Sequence, residues 1–154
     1  MNINKFTQKS LEAVQNCEKL AYEYGNQQIE QEHLLYSLLT VEDSLILKLI
    51  TKMNVQKEQF INETAQAIEK LPKVSGGQLY ISNDLNKVLI SAEDEAKAMG
   101  DEYVSVEHLF LAMLKQPSRM VKELFRSYAV TRENFLQALS TVRGNQRVVS
   151  DNPE

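Results

Sequence analysis

The chain has 154 residues, 43% of them hydrophobic and 25% charged, with a formal net charge of −4. That length supports one domain or two small lobes sharing a core. The acidic balance, with Lys and Arg scattered among acids, argues against a nucleic-acid face, and no apolar run approaches a membrane span. The N-terminus from Met1 to Phe6 lacks the apolar core of a signal peptide. A lone Cys17, on an apolar helical face, leaves no intrachain disulfide or cysteine metal site and suits a reducing cytoplasm.

In chain order, helical spacing of Leu11, Val14, Cys17, Leu20 and Ala21 predicts a first helix over residues 7–24. Thr7 suits its N-cap and Gly25 its C′ position. A second helix is expected over 31–39, with Glu32 in its first turn beside the positive end of the dipole. Third and fourth helices follow over about 45–53 and 56–71, the last centred on Phe60. Residues 72–77 read as a linker by their Pro and Gly content, and 78–81 as a brief strand. The helical pattern then restarts: Ser82 to Gly100, 106–114 with Ser105 as N-cap, 117–128 with Pro117 near the helix start, and 131–143 around Phe135. Glu30 is a poorer N-cap than Ser105.

The second series is the first one repeated. Residues 25–39 reappear as residues 100–114, shifted by 75 positions without a gap, and the same shift pairs Leu49 with Leu124 and Phe60 with Phe135. Both histidines, His33 and His108, are partners in this match. A constant offset signals a duplicated supersecondary unit. The expected class is all-α, with eight helices in two tandem four-helix repeats related by a pseudo-two-fold axis. The boundaries are 1–145 for the domain, with repeat one over about 1–71, a joining linker over about 72–80 and repeat two over about 81–145. Residues 146–154 read as the start of an interdomain linker. A single repeat is marginal for an independent core, so the two are expected to bury apolar faces against each other.

Motifs for chemistry are sparse. No Gly-x-x-x-x-Gly-Lys, His-Glu-x-x-His or Gly-x-Ser-x-Gly segment occurs, which leaves phosphate, zinc and serine chemistry without support. The strongest catalytic candidate is the Glu-x-x-His of Glu30 and His33, the spacing of di-metal bundles. Its mate at the equivalent of Glu30 is Ser105, so a second such pair is missing. The expectation is therefore no catalytic residue, no metal and no cofactor in this chain. The bland reading of the histidines is a ring near a helix start bonded to local backbone. The bland reading of Glu32 and Glu107 is dipole complementation.

The duplicated Glu-His-Leu helix, the opening Phe6, Thr7, Gln8, Lys9 and Ser10, and the closing run from Arg143 to Val148 together resemble the N-terminal domain of Clp/Hsp100 ATPases over about residues 1–145. Within that family, Leu71 to Val74, the Gly76-Gly77 linker and residues 142–148 look more like the ClpB type than the ClpA or ClpC type. The resemblance implies an eight-helix module tethered above a hexameric ATPase ring, with ATP and Mg bound by modules outside this chain. It implies that unfolded or aggregated proteins are engaged for disaggregation, with an Hsp70-type chaperone contacted through other parts of the parent. Substrate-binding residues of the family match Thr7, Asp101 and Glu107, beside an apolar groove between the repeats. In ClpC-like relatives, residues matching Glu32 and Glu107 bind phosphorylated arginine, so an adaptor- or phosphoarginine-binding role stays open as the alternative, and a helical metalloenzyme as a remote one. The offset adds one expectation: if Thr7 lies beside Asp101 and Glu107, then Ser82 lies beside Asn26 and Glu32. Such a second site lacks one formal charge.

Overall fold

In the computed structural model, which describes residues 3–144, 148, 149 and 151, a 3-10 turn at Ile3–Lys5 leads into the first helix. Eight α-helices follow among the described residues: α1 (Gln8–Glu23), α2 (Gln31–Thr40), α3 (Leu45–Lys52), α4 (Lys57–Glu69), α5 (Asn83–Ala98), α6 (Val106–Lys115), α7 (Arg119–Ser127) and α8 (Arg132–Arg143). None of them is long and apolar enough to cross a membrane.

Helix ends are set by local chemistry that recurs at the 75-residue offset. The Thr7 hydroxyl accepts the Ser10 N–H at 3.2 Å, and Ser82 accepts the Leu85 N–H at 3.1 Å. Gly25 (φ +74°) and Gly100 (φ +72°) take the left-handed conformation that ends α1 and α5. The N–H groups that follow turn back onto α1 and α5, Asn26 to Ala21 at 2.8 Å and Asp101 to Ala96 at 2.9 Å. Both ends are thus Schellman caps. Asn54 and Ala129 repeat the device after α3 and α7, with φ of 62° and 54°. Ala129 carries a Cβ into the left-handed region at a cost of about 1–2 kcal/mol. Burial of the adjacent Val130 helps to hold it there.

Two-residue strands β1 (Gln28–Ile29) and β2 (Tyr80–Ile81) pair in parallel, with Ile29 opposite Ile81. The strand expected over 78–81 is therefore shorter, and its partner was not anticipated, because two residues display no period. An equivalent bridge joins Phe6 to Val104. Thr7 N–H donates to the Val104 carbonyl at 2.9 Å, and Ser82 N–H donates to the Ile29 carbonyl at 3.0 Å. Shifting one contact by 75 residues while exchanging the repeats gives the other, which is the signature of a pseudo-two-fold relation.

Pro117 does not open α7 as the sequence suggested. It precedes the N-cap Ser118, because a residue before proline is driven from the helical region; Gln116 sits at φ −131° and ψ 60°. Helices α2 and α6 lie at the centre, packed on each other and flanked by α1 and α5. Leu34, Leu35, Leu38, Leu109, Phe110 and Leu111 are fully buried in one hydrophobic cluster that spans both repeats. Across the junction, α3 packs on α6 and α8, while α7 packs on α2 and α4. Neither repeat keeps a private core. Leu109→Ala is expected to lower the unfolding free energy by about 2–5 kcal/mol in urea denaturation. A loss within about 0.5 kcal/mol, the range of surface positions, would remove Leu109 from the core.

Candidate binding site and its two buried histidines

His33 and His108 occupy the third position of α2 and α6, with no solvent exposure. In each, Nδ1 accepts the backbone N–H of the N-cap residue, from Glu30 at 2.9 Å and from Ser105 at 2.8 Å. An N–H cannot point at a protonated nitrogen, so Nδ1 is bare and the proton resides on Nε2. That proton is donated to Asn26 Oδ1 at 2.9 Å in repeat one and to Asp101 Oδ2 at 2.6 Å in repeat two. Burial pushes the His33 pKa down to about 4. Burial likewise lowers His108, although Glu107 and Asp101 pull the other way. The His108–Asp101 contact is therefore a hydrogen bond between a neutral ring and a carboxylate. With both nitrogens of His33 engaged, the Glu30-x-x-His33 spacing has no ring lone pair to offer a metal. Among the described residues no group of three or more His, Cys, Asp or Glu side chains is arranged to hold one.

The residues around the rings differ sharply between the repeats. Asp101 is buried and its acceptors are occupied: Oδ1 accepts from Arg143 and from the Val148 N–H at 2.9 Å, and Oδ2 accepts from His108. Burial opposes its ionisation, but these hydrogen bonds and the Arg143 charge outweigh it and hold the carboxyl below the ordinary range. Arg143 Nη1 also lies 3.6 Å from Glu107 Oε2. In repeat one the equivalents are Asn26 and Ile68, and Ile68 is fully buried. The extra carboxylate of repeat two thus arrives together with its own cation. The repeat-one site lacks one carboxylate, as the offset implied, while the extra carboxylate of repeat two is paired with Arg143. Glu32 is buried without a guanidinium, and desolvation, with Glu30 and Asp84 nearby, raises its pKa to about 7 against an opposing backbone hydrogen bond.

Thr7 is buried and its hydroxyl caps α1, while its backbone joins Val104, midway in the chain between Asp101 and Glu107. Ser82 is likewise buried at the start of α5 and bonded to Ile29, between Asn26 and Glu32 in the chain. The structure thus ties Thr7 to the loop carrying Asp101 and Glu107, and Ser82 to the loop carrying Asn26 and Glu32. Val148 and Asp151 lie against the repeat-two loop and the start of α1: the Val148 carbonyl accepts the N–H groups of Glu102 at 2.8 Å and Tyr103 at 3.2 Å, and the Asp151 carbonyl accepts the Gln8 N–H at 2.6 Å. Three residues escaped the sequence reading. Arg143 and Val148 entered that reading only as the ends of the closing run that carries the family resemblance, not as residues of the site. Gln31, whose amide bonds the Asp84 and Gln116 carbonyls and the Ser118 N–H, pairs with Val106 and so shows no repeat.

The sequence profile described as Clp repeat (R) N-terminal domain matches residues 5–128. The chain belongs to the Clp repeat N-terminal domain family. The chaperone protein ClpB of Nitratidesulfovibrio vulgaris is 39% identical over this whole chain, and that of Bacillus anthracis is also 39% identical. In both cases the matched region is 18% of the relative, so the chain spans about a fifth of the length of the curated relatives it matches. The Hsp104 N-terminal domain of Candida albicans superposes with a TM-score of 0.85 at 21% identity, covering 96% of this chain and 97% of that one. A ClpV N-domain in complex with VipB peptide superposes with a TM-score of 0.73 at 20% identity, covering 94% and 90%. The sequence is that of a ClpB-type N-terminal domain, and the solved neighbours share its Clp N-domain fold.

Glu32 gives this Clp domain a particular pH dependence. Its folded pKa, near 7, lies above the unfolded value, so its contribution favours the folded state most at low pH and is lost as pH rises toward 7. His33, with a depressed folded pKa, contributes in the opposite sense, losing stability as pH falls below its unfolded value. The Glu32→Gln variant isolates the first effect. It should match the parent near pH 4 and exceed its stability at pH 8 by about 1–3 kcal/mol in thermal or urea unfolding. Equal stability at both pH values would show that Glu32 is ionised in the fold at low pH.

Proposed function

We propose that this domain is a non-catalytic module that captures extended, unfolded polypeptide for a ClpB-type disaggregase. Client segments would pass from it to the pore of a hexameric ATPase whose ATP and Mg sites lie outside this chain, in the cytoplasm. One observation carries the reading: the surface between the start of α1 and the 101–107 loop already holds main chain, through the Val148 and Asp151 carbonyls and the Val148 N–H. Main-chain amides recognise a backbone without reading its sequence, which suits capture of many unrelated unfolded chains. Supporting it, a ClpV N-domain of the same fold has been solved with a bound peptide.

The roles of the proposed residues divide on this view. Thr7 and Asp101 hold the site together, the first by capping α1 and the second by orienting Arg143 and the local backbone. Glu107 sits beside them with one partner guanidinium at 3.6 Å, a long contact that a client Lys or Arg side chain could supplement. Asn26, Glu32 and Ser82 form the corresponding second site, and phosphoarginine or adaptor binding there is the alternative. Weak binding, in the range of about 10 μM to 1 mM, suits a module that must release what it captures.

Titration with a reduced, alkylated lactalbumin, followed by NMR, tests this reading. Shifts should cluster at Gln8, Glu102, Tyr103 and Glu107. Glu107→Ala should weaken binding by about five- to tenfold, while Glu32→Ala changes it little. Equal losses from the two variants would favour two equivalent acidic sites of the ClpC kind, and shifts confined to another face would defeat the site.

A further inference from the structure

We propose that the outer face of α7 is a docking surface for an acidic helical segment of a partner protein, separate from the client site. Arg119, Lys122 and Arg126 are exposed and fall at i, i+3 and i+7 on α7, so they form one row about 10 Å long. Lys115, the exposed last residue of α6, stands before that row across the loop 116–118. The opposite side of α7 carries Val121, Leu124 and Phe125, all buried. The span 115–126 holds four cations and one acid, Glu123, a net charge of +3 in a chain of −4. The rest of the chain therefore carries −7, that is −4 less +3.

The fold accounts for only part of this row. Lys115 and Arg126 complement the C-terminal dipoles of α6 and α7. Arg119 does the reverse: it is the first residue of α7, whose first turn holds no acid, so it stands at the positive end of the dipole. Cations that open other helices are compensated. Lys57 is followed by Glu58, Arg132 binds Glu95, and Lys9 Nζ donates to the Glu42 carbonyl. Among the described residues, none of the four cations of the 115–126 span forms an ion pair or a side-chain hydrogen bond. At the 75-residue offset they correspond to Thr40, Ser44, Leu47 and Thr51, and the span 40–51 has one cation against two acids. The row belongs to one copy alone, so the shared fold does not require it. Gln31 holds its start in place through the Gln116 carbonyl and the Ser118 N–H, which lowers the ordering cost of binding. Charge and length select the occupant. Carboxylates along one face of a helix laid on α7 match the row, and each guanidinium can take one bidentately. A nucleic acid or an anionic membrane carries its charge past the row. It would meet Glu123, Asp84 (whose carbonyl shares Gln31 with that of Gln116) and the −7 of the remaining chain. A short acidic helix meets the row alone.

The test titrates the whole chain by NMR with a synthetic alanine-rich helical peptide of about sixteen residues, carrying glutamates at i, i+3 and i+7. Amide shifts should follow α7 at Arg119, Lys122 and Arg126 and leave Glu102 and Tyr103 unmoved. The double variant Arg119→Glu, Lys122→Glu should weaken binding by at least about tenfold, and the milder Arg126→Gln by about two- to fivefold. Lys52→Glu, at an exposed position on α3, should change it by less than about twofold. A peptide with the same glutamates dispersed around its helix should bind at least about fivefold more weakly. Equal losses from the α3 and α7 variants, shifts on another face, or a parent chain that does not bind the peptide would overturn the proposal. Equal affinity for the two peptides would overturn the helical match. Tighter binding of a single-stranded oligonucleotide, or of phosphatidylglycerol vesicles, would overturn the choice of partner. Client capture is decided separately, by the lactalbumin shifts at Gln8, Glu102, Tyr103 and Glu107.

Discussion

A buried neutral imidazole organises each half of this domain. Its Nδ1 takes the N-cap amide of α2 or α6, which leaves Nε2–H free to hold the residue just after the helix-ending glycine of α1 or α5. One ring thereby joins the two ends of the five-residue stretch, 26–30 or 101–105, that turns the chain between consecutive helices. It satisfies an amide that the helix itself cannot use and locks its own tautomer in doing so. The loop geometry that follows from this corner presents Ile29 and Val104 to the opposite repeat, where they pair with the backbone leading into α5 and α1. The histidines thus act through the backbone they position, and the pseudo-two-fold assembly depends on them as much as on the shared leucine core.

With the scaffold held in common, the two copies were free to diverge around it. Asn26 and Ile68 make repeat one neutral beneath its histidine, whereas Asp101 and Arg143 put an ion pair in the same place. A buried carboxylate joined by a guanidinium, a ring N–H and a backbone N–H is fully satisfied, so the pair adds buried polarity beside the 101–107 loop without leaving an orphaned charge. The consequence lies in the outgoing segment: Asp101 offers an acceptor to the Val148 amide, where Asn26 instead offers a donor to the Pro72 carbonyl. The exchange of one acid for one amide thereby changes which group of the crossing chain is recognised.

The repeat made most of the fold legible. Thr7, Gly25, Ser82 and Gly100 mark their helix ends in the sequence because each residue type has a steric or hydrogen-bonding reason to stand there. Ala129 gives no such sign, and its left-handed turn becomes intelligible only from the burial of Val130. Pro117 misled for the opposite reason, since proline suits a helix start and also ends the helix before it. At the site, the offset drew attention to Asp101 and Glu107, and the family resemblance added Thr7. Their partners were illegible because Arg143, Gln31 and Val148 act across long sequence separations, where neither periodicity nor spacing leaves a trace.

The central claim is that each histidine is a neutral Nε2–H donor bridging two helices. Nitrogen-15 NMR of the two imidazole rings between about pH 5 and 8 tests it most directly, since an unperturbed histidine titrates within that window. His33 should show the neutral Nε2–H pattern throughout, and His108 should show it at neutral pH despite its contact with Asp101. A charged His108 at neutral pH, or an Nδ1–H tautomer in either ring, would contradict the account.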